Sequence, residues 1–335
     1  MTGAHRAAPV ALTCGEPAGI GAEIAVKARA ALGADLPFVW IGDPRLLPAG
    51  TRFCEVPAPA AAAGVPADAL PVLALPFDGG PACPGRPDPA HARGVIAAIA
   101  RAVDLVGRNE AAAICTLPIA KKALRDGAGF AFPGHTEFLA HLAGAPEDAV
   151  MMLAGAGLRV VPATIHIPLA EVPRRLTPDL LDRVIRTTHA ALAADFGIPR
   201  PRIAVAGLNP HAGEGGAMGR EEIEVIAPLL DHLRLAGMDL TGPLPADTMF
   251  HPPARARYDA AVCMYHDQAL IPLKTIDFAG GVNVTLGLPF VRTSPDHGTA
   301  FDIAGRGIAD PSSLIAALRL AREMAERRRA SDTGR

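Results

Sequence analysis

Three histidines of the sequence share one local setting, because each follows the end of an apolar segment that is typical of a β-strand. They are His166, His211 and His266. In open α/β sheets, ligand sites form beyond the carboxyl ends of the strands. Three imidazoles gathered there would bind a divalent metal ion and leave one coordination position open for substrate or water. For any one of them alone, a hydrogen bond to a backbone carbonyl is the simpler interpretation, and spacing alone does not prove convergence.

Histidine ligands would give such an ion a particular chemistry. Three neutral imidazoles leave the ion with its full positive charge, which a cage of carboxylates would largely cancel. An ion held in this way lowers the pKa of bound water to roughly 7, and it should acidify an alcohol in the same manner. Oxidation of an alcohol requires this, because hydride leaves carbon readily only as the oxygen becomes an alkoxide.

A candidate anion site lies in the middle of the chain. The segment Pro133–Glu137 has the composition of a turn followed by the start of a helix. Backbone amides at such a helix start, together with the side chains of His135 and Thr136, would bind an anion. The alternative is an ordinary helix that Thr136 caps.

Three polar residues near a second apolar stretch are further candidates for anion binding. Lys274 precedes the predicted strand Val282–Leu286, Asn283 lies on it, and Arg292 follows it. Arg292 comes directly after an apolar run, where a charge needs a partner. A phosphate or a carboxylate of a ligand would serve, and so would a structural aspartate.

Two aspartates and a glycine-rich turn complete the set of candidate functional residues. Asp247 and Asp267 could accept a proton or orient a histidine, or they could be ordinary turn residues. Gly15–Gly21 follows a strand but matches neither the dinucleotide-binding nor the P-loop pattern, so alone it is weak support for nucleotide binding.

The elements that must position these residues alternate between strand and helix along the chain, which predicts a largely parallel sheet covered on both faces. The predicted strands are Val10–Thr13, Phe38–Gly42, Ala111–Thr116, Arg159–His166, Arg202–Leu208, Ala260–Tyr265 and Val282–Leu286. The predicted helices are Ala22–Leu32, Arg93–Val106, Pro178–Phe196, Glu221–Ala236 and Pro311–Arg329. The fold class is therefore α/β.

Length and composition narrow the class of protein. A chain of 335 residues fits one large or two ordinary α/β domains. The net charge of -2 gives no electrostatic reason to bind nucleic acid or an acidic membrane. The five cysteines show no CxxC spacing, so we expect reduced thiols and a cytoplasmic protein. We also expect no signal peptide and no membrane span.

Several long, ordered motifs between about residue 9 and residue 325 resemble the 4-hydroxythreonine-4-phosphate dehydrogenase family. They are Gly15–Gly21, Pro133–Phe138, Gly207–Glu214, Gly242–Thr248, Tyr265–Gln268 and Gly281–Arg306. The resemblance implies an enzyme of pyridoxal phosphate biosynthesis. Such an enzyme uses NAD or NADP to oxidise the C3 hydroxyl of 4-phosphohydroxy-L-threonine. The 3-oxo acid formed then loses CO2 and gives 3-amino-2-oxopropyl phosphate.

The resemblance also implies roles for particular residues. One divalent ion (Zn, Mg or Co) per subunit would be held by His166, His211 and His266. The substrate contacts would be His135, Thr136, Lys274, Asn283 and Arg292, and NAD would meet His297, Gly298, Thr299, Ala300 and Asp302. The active site would be shared across a homodimer interface.

The implied fold is like that of isocitrate and isopropylmalate dehydrogenases, with two α/β/α domains and a cleft between them. We expect a cofactor domain of residues 1–131 with 276–335, and a metal, substrate and dimerisation domain of residues 132–275.

The sequence departs from the family pattern after the strand at 111–116. Some members carry a histidine in the segment that here reads Thr116–Lys121, whereas this chain keeps only Lys121. We take Lys121, Asp247 and Asp267 as the candidate catalytic residues. A sister branch that acts on threonate or erythronate 4-phosphate is an alternative, as are a metal-dependent phosphatase and a non-catalytic sugar-phosphate-binding regulator.

Overall fold

The structure is a computed structural model that describes residues 8–145 and 149–333. The chain divides into two compact units. The first comprises Met1–Glu147 with Leu288–Glu326, and the second comprises Asp148–Gly287 with Arg327–Arg335. Compared with the expected domains, this division assigns His135 and Thr136 to the first unit and Asn283 to the second.

Strands and helices alternate along most of the described chain. The strands are β1 (Val10–Thr13), β2 (Phe38–Gly42), β3 (Phe53–Glu55), β4 (Leu70–Ala74), β5 (Ala113–Thr116), β6 (Val150–Gly155), β7 (Leu158–Thr164), β8 (Arg202–Ala206), β9 (Asp239–Leu244), β10 (Ala260–Tyr265), β11 (Val282–Leu286) and β12 (Arg292–Pro295). The helices are α1 (Gly21–Leu32), α2 (Ala92–Gly107), α3 (Lys121–Ala128), α4 (His135–Leu142), α5 (Val172–Arg175), α6 (Pro178–Ala194), α7 (Ala227–Leu235), α8 (Pro252–Arg255), α9 (His266–Ile276) and α10 (Ser312–Thr333). The predicted α/β class is confirmed.

The strands of the first unit are all parallel, in the order β3-β4-β2-β1-β5-β12. Every residue of β1 and β2 is buried, which explains why both are apolar on both faces. Helix α2 packs on β1, β2 and β5. It does so through apolar residues three and four positions apart, among them Val95, Ile99 and Leu105.

The strands of the second unit follow the order β11-β6-β7-β10-β8-β9. Strand β6 runs opposite to the other five strands of this order, so this part of the sheet is largely parallel, as expected. Strand β10 lies between β7 and β8, with Tyr265 opposite Thr164 and Val262 opposite Val205. The carboxyl ends of these three strands therefore meet at one edge, and His166, His266 and His211 follow them.

Several helical regions differ from the sequence-based expectation, since α3, α5 and α8 were not predicted. The single helix predicted at 221–236 consists of a π-helical turn, Glu222–Ile226, and then α7. Pro228 lacks the N–H that a continuous α-helix would use at this position, so a wider π-helical turn stands where an α-helical turn was expected. Helix α9 was not predicted, because the polar start at His266 and the internal Pro272 obscure its helical pattern.

None of the described helices combines the length and the apolar character that crossing a membrane requires. All five cysteines carry free thiols, and Cys14, Cys115 and Cys263 are buried.

Helix α3, which begins at Lys121, should depend on close packing at Gly127. A Cβ atom on Gly127 would lie 1.9 Å from the Pro89 carbonyl oxygen, so the helix sits directly on that backbone. We expect Gly127→Ala to lower the free energy of unfolding by about 1–3 kcal/mol, although alanine favours helix. Denaturant titration measures this difference.

The matched control is Gly107→Ala at the end of α2, where nothing lies within 4 Å of the added atom. This variant should be as stable as the wild type or slightly more stable. Equal effects of the two substitutions would contradict the packing argument.

Candidate active-site residues

Two of the three candidate metal ligands lie side by side in the second unit. The ring centroids of His166 and His266 are 5.6 Å apart, and the rings are tilted by 42°. Both rings line a cavity whose walls also include Thr164, Val172 and Tyr265. The strand register thus brings together two residues that are 100 positions apart in the sequence.

Asp267 orients one of these two imidazoles. Its Oδ1 atom lies 2.7 Å from Nδ1 of His266. Because an ionised carboxylate can only accept a hydrogen bond, Nδ1 must carry the proton and donate it. The Nε2 atom of His266 is then the nitrogen that remains able to bind a metal ion.

The third candidate, His211, is placed differently. It lies in a turn after β8 in which the residues from His211 to Gly215 all have positive φ angles. Its Nδ1 atom is 3.4 Å from Oε2 of Glu214, and its side chain is largely exposed. Within residues 8–145 and 149–333, no three His, Cys, Asp or Glu side chains are grouped so that they could hold a metal ion. The three-histidine centre therefore stays a prediction.

The His166–His266 pair nevertheless fits two ligands of one ion. An ion about 2.0–2.1 Å from each of two nitrogens, in tetrahedral geometry, separates the ring centres by on the order of 5 Å. The observed separation of 5.6 Å is close to this value. His211 comes after β8, and the end of β8 is adjacent to the end of β10.

In the first unit, His135 lies near two cationic side chains. Burial lowers the pKa of His135 well below its ordinary value, and the positive charges of Arg292 and Lys121 lower this pKa further. The imidazole is therefore neutral at pH 7. Its Nε2 atom is buried and has no hydrogen-bond partner among the described residues, as expected of a group that binds a ligand.

Helix α4 adds backbone amides to this region. The helix begins at His135, Gly134 occupies the N-cap position, and no side chain caps it. Thr136 is therefore not the cap, which was the alternative interpretation. A Cβ atom on Gly134 would lie 3.6 Å from Nζ of Lys121 and 3.4 Å from Oε2 of Glu137, so an ammonium group and a carboxylate lie next to the helix start. The helix start and the cations Arg292 and Lys121 stand against one carboxylate, so the net charge of the region favours an anion.

Arg292 is buried, and Thr116 helps to fix its position. Its Nη2 and Nε atoms donate hydrogen bonds to Oγ1 of Thr116, at 2.6 and 3.2 Å. Burial lowers the pKa of Arg292 to about 10, so the guanidinium stays charged at neutral pH. Thr116 is the last residue of β5, beside β12, on which Arg292 lies.

The candidate cofactor residues form a loop that is anchored to the glycine-rich turn after β1. The backbone N–H of Ile20 donates to the carbonyl oxygen of Thr299 at 3.1 Å. A Cβ atom on Gly19 would lie 2.9 Å from the same oxygen, so only glycine fits there. Beyond Asp302, Lys27 donates to the carbonyl oxygens of Gly307 and Ala309.

The remaining members of this loop differ in exposure. Gly298 and Asp302 are exposed, while Ala300 is half-buried and has a φ angle of 46°. His297 is also half-buried, and its Nε2 atom has no hydrogen-bond partner among the described residues.

The other candidates are dispersed over the second unit. Nζ of Lys274 lies 5.6 Å above the ring of Phe278. Asn283 lies on β11, and its Oδ1 atom is buried with no hydrogen-bond partner among the described residues. Asp247 is exposed in a short 3-10 turn after β9.

Sequence reasoning missed several residues that support the site. Besides Thr116, these are Gln268 and Glu222, which bind the backbone after β8. Glu16 in the glycine-rich turn is also buried, and burial raises the pKa of its carboxyl. The Tyr265–Gln268 motif contains Gln268 and the Gly15–Gly21 motif contains Glu16, whereas Thr116 and Glu222 act through contacts that no spacing reveals.

The fold and these residues define a two-unit α/β protein with a candidate anion-binding region in one unit and a histidine pair at strand ends in the other. The family model described as pyridoxal phosphate biosynthetic protein PdxA matches residues 34–321. The chain therefore belongs to the PdxA family.

Individual relatives extend this similarity over nearly the whole chain. A 4-hydroxythreonine-4-phosphate dehydrogenase of Paracoccus denitrificans (strain Pd 1222) is 64% identical over 328 residues, which cover 96% of this chain and 99% of that protein. One of Ruegeria sp. (strain TM1040) is also 64% identical, with 98% and 99% covered. The crystal structure of the Klebsiella pneumoniae enzyme of the same name is 41% identical, with a TM-score of 0.87 and 96% and 98% covered.

The low pKa of His135 predicts an acid-side loss of stability. As the pH falls below about 6.5, the unfolded chain binds a proton at this histidine while the folded protein does not. The free energy of unfolding should therefore decrease, by at most about 1.4 kcal/mol per pH unit from this group. Replacing His135 with glutamine should reduce this slope. Denaturant titrations of both proteins at several pH values measure it, and identical slopes would contradict the prediction.

Proposed function

We propose that the chain is a dehydrogenase that oxidises 4-phosphohydroxy-L-threonine at C3 with NAD or NADP. The product, 2-amino-3-oxo-4-phosphooxybutanoate, would lose CO2 to give 3-amino-2-oxopropyl phosphate on the route to pyridoxine 5'-phosphate. The observation that carries this proposal is 64% identity, over nearly the whole chain, to relatives named for this activity. The anion-binding region in the first unit agrees with a phosphorylated substrate.

Five residues are proposed to divide the phosphate and the carboxylate of the substrate between them. They are His135, Thr136, Lys274, Asn283 and Arg292. The buried, unpartnered Nε2 of His135 and Oδ1 of Asn283 support this assignment, because each is ready to exchange a hydrogen bond with a ligand. The charged guanidinium of Arg292 would pair with an oxyanion.

His166, His211 and His266 are the residues proposed to hold a divalent ion such as Zn, Mg or Co. When bound, such an ion supplies Lewis acidity that favours loss of the hydroxyl proton and offsets the negative charge that develops as CO2 leaves. The hydrogen bond from His266 to Asp267 supports this role, since it leaves Nε2 directed away from the carboxylate.

Hydride transfer from C3 must be accompanied by loss of the hydroxyl proton to a base. Asp247 is the proposed acceptor, because its carboxylate is exposed and can pass the proton to water. Lys121 is proposed to act as a cation, whose ammonium group donates a hydrogen bond to an oxygen of the substrate. Asp267 is better suited to orienting His266, with which it forms a hydrogen bond. NAD or NADP is proposed to lie along the loop from His297 to Asp302.

We also propose a homodimer in which both copies contribute to the active site. In the second unit, Ile271 is 63% exposed and Phe278 is 79% exposed. Large apolar side chains so exposed on neighbouring segments are typical of surfaces that another chain covers.

The reaction itself is tested by mixing the purified protein, a divalent metal salt and NAD or NADP with 4-phosphohydroxy-L-threonine. We expect absorbance from the reduced nicotinamide to appear together with CO2. Threonate and erythronate 4-phosphates serve as competing substrates and should react more slowly.

Release of inorganic phosphate without cofactor reduction would instead indicate a phosphatase. Faster turnover of the hydroxy acid phosphates would assign the chain to the sister branch.

Removal of the metal tests the histidine assignment. Dialysis against a chelator should abolish activity, and Zn, Mg or Co salts should restore it. His166→Ala should bind the metal ion more weakly and lose turnover, yet keep its circular dichroism spectrum and its unfolding midpoint in chelator. The contrary result would be a His166→Ala protein that is fully active in chelating buffer.

A further inference from the structure

The backbone segment that carries His211 is held by side chains from outside the segment. It runs from Gly207, just after β8, to Gly213. His211 and Ala212 have φ angles of 53° and 50°, in the left-handed region that non-glycine residues seldom adopt. Such a conformation persists only where surrounding contacts impose it.

Gln268 holds the beginning of this segment. Its Nε2 atom donates to the carbonyl oxygen of Gly207 at 2.8 Å, and its Oε1 atom accepts from the backbone N–H of Met264 at 2.7 Å. One amide side chain thus joins the backbone after β8 to the end of β10. Gln268 also lies two residues after His266, so it links the two strand ends that precede His211 and His266.

Glu222 holds the middle of the segment. It is only 3% exposed, and it projects from the π-helical turn before α7. Its Oε1 atom accepts from the backbone N–H of Asn209 at 2.7 Å, and its Oε2 atom accepts from Nδ2 of Asn209 at 2.9 Å.

The carboxylate of Glu222 also packs directly on the backbone of the segment. A Cβ atom on Gly213 would lie 2.6 Å from Oε2, and one on Gly207 would lie 3.0 Å from Oε1. No side chain fits at these two positions without displacing the carboxylate.

We propose that Gln268 and Glu222 are positioning residues that set the place of His211 relative to His266. This inference rests on the proposed function, in which both histidines bind the metal ion. The side chain of His211 is largely exposed, so its position depends on the backbone that these two residues hold. Partners that orient metal ligands affect metal affinity strongly, typically by about 10- to 100-fold.

The chain offers a matched pair of variants. In Glu222→Gln, the amide oxygen replaces one carboxylate oxygen and can still accept a hydrogen bond. The amide NH2 group replaces the other oxygen and would face an N–H donor of Asn209. In the control Glu221→Gln, the new side chain can still accept from Nδ2 of Asn209, as Glu221 does at 2.7 Å. Gln268→Glu is an independent third variant, because its second oxygen would face the carbonyl oxygen of Gly207.

The measurements are zinc affinity by calorimetry and the visible absorption spectrum of the Co²⁺-loaded protein, which reports ligand geometry. We expect Glu222→Gln and Gln268→Glu to bind zinc about 10- to 100-fold more weakly, with altered cobalt spectra. Glu221→Gln should match the wild type in both. A purely structural role would lower the unfolding midpoint but leave the cobalt spectrum of the folded protein unchanged.

The outcomes separate this inference from the proposed function. Unchanged zinc affinity and cobalt spectrum in either folded variant would overturn the role of that residue, while the proposed metal centre would stand. A wild-type protein that binds neither zinc nor cobalt would overturn the metal centre and this inference together.

Discussion

The arrangement of the second unit depends on the parallel pairing of β7, β10 and β8. Because β10 pairs with both neighbours in the same direction, the three carboxyl ends lie at one edge. A slip of one residue in either pairing would turn every side chain of the shifted strand to the opposite face of the sheet. The closeness of His166 and His266 is therefore a property of the register, and buried apolar residues such as Val160 and Cys263 maintain it.

In the first unit, a positively charged side chain is buried away from water. Arg292 is buried but remains charged, with the hydroxyl of Thr116 as one of its acceptors. His135 lies in the same field and stays neutral, because burial disfavours its charged form and a third positive charge there would be unfavourable. An anionic ligand would compensate the two cations without protonating the imidazole.

The sequence predicted the strands better than the contacts between them. β1, β2, β10 and β11 have the predicted bounds, because each is an apolar run with a clear end. Strand β6 was missed, since a run such as Met151–Leu153 suits a helix equally well. The strand-end rule pointed to His166 and His266, which lie side by side, while the grouping of His211 with them stays a prediction. The hydrogen bonds of Glu222 with Asn209 join residues whose spacing carries no pattern.

The left-handed turn from His211 to Gly215 also restricts which amino acids this stretch can accept. Valine, isoleucine and threonine are genuine outliers at positive φ, whatever chemistry their side chains offer. At Ala212 the backbone admits glycine, asparagine or aspartate most readily. The substitutions tolerated at Ala212 would therefore be set by its left-handed backbone conformation. Those tolerated at the neighbouring His211 would be set by this conformation and by ligand chemistry together.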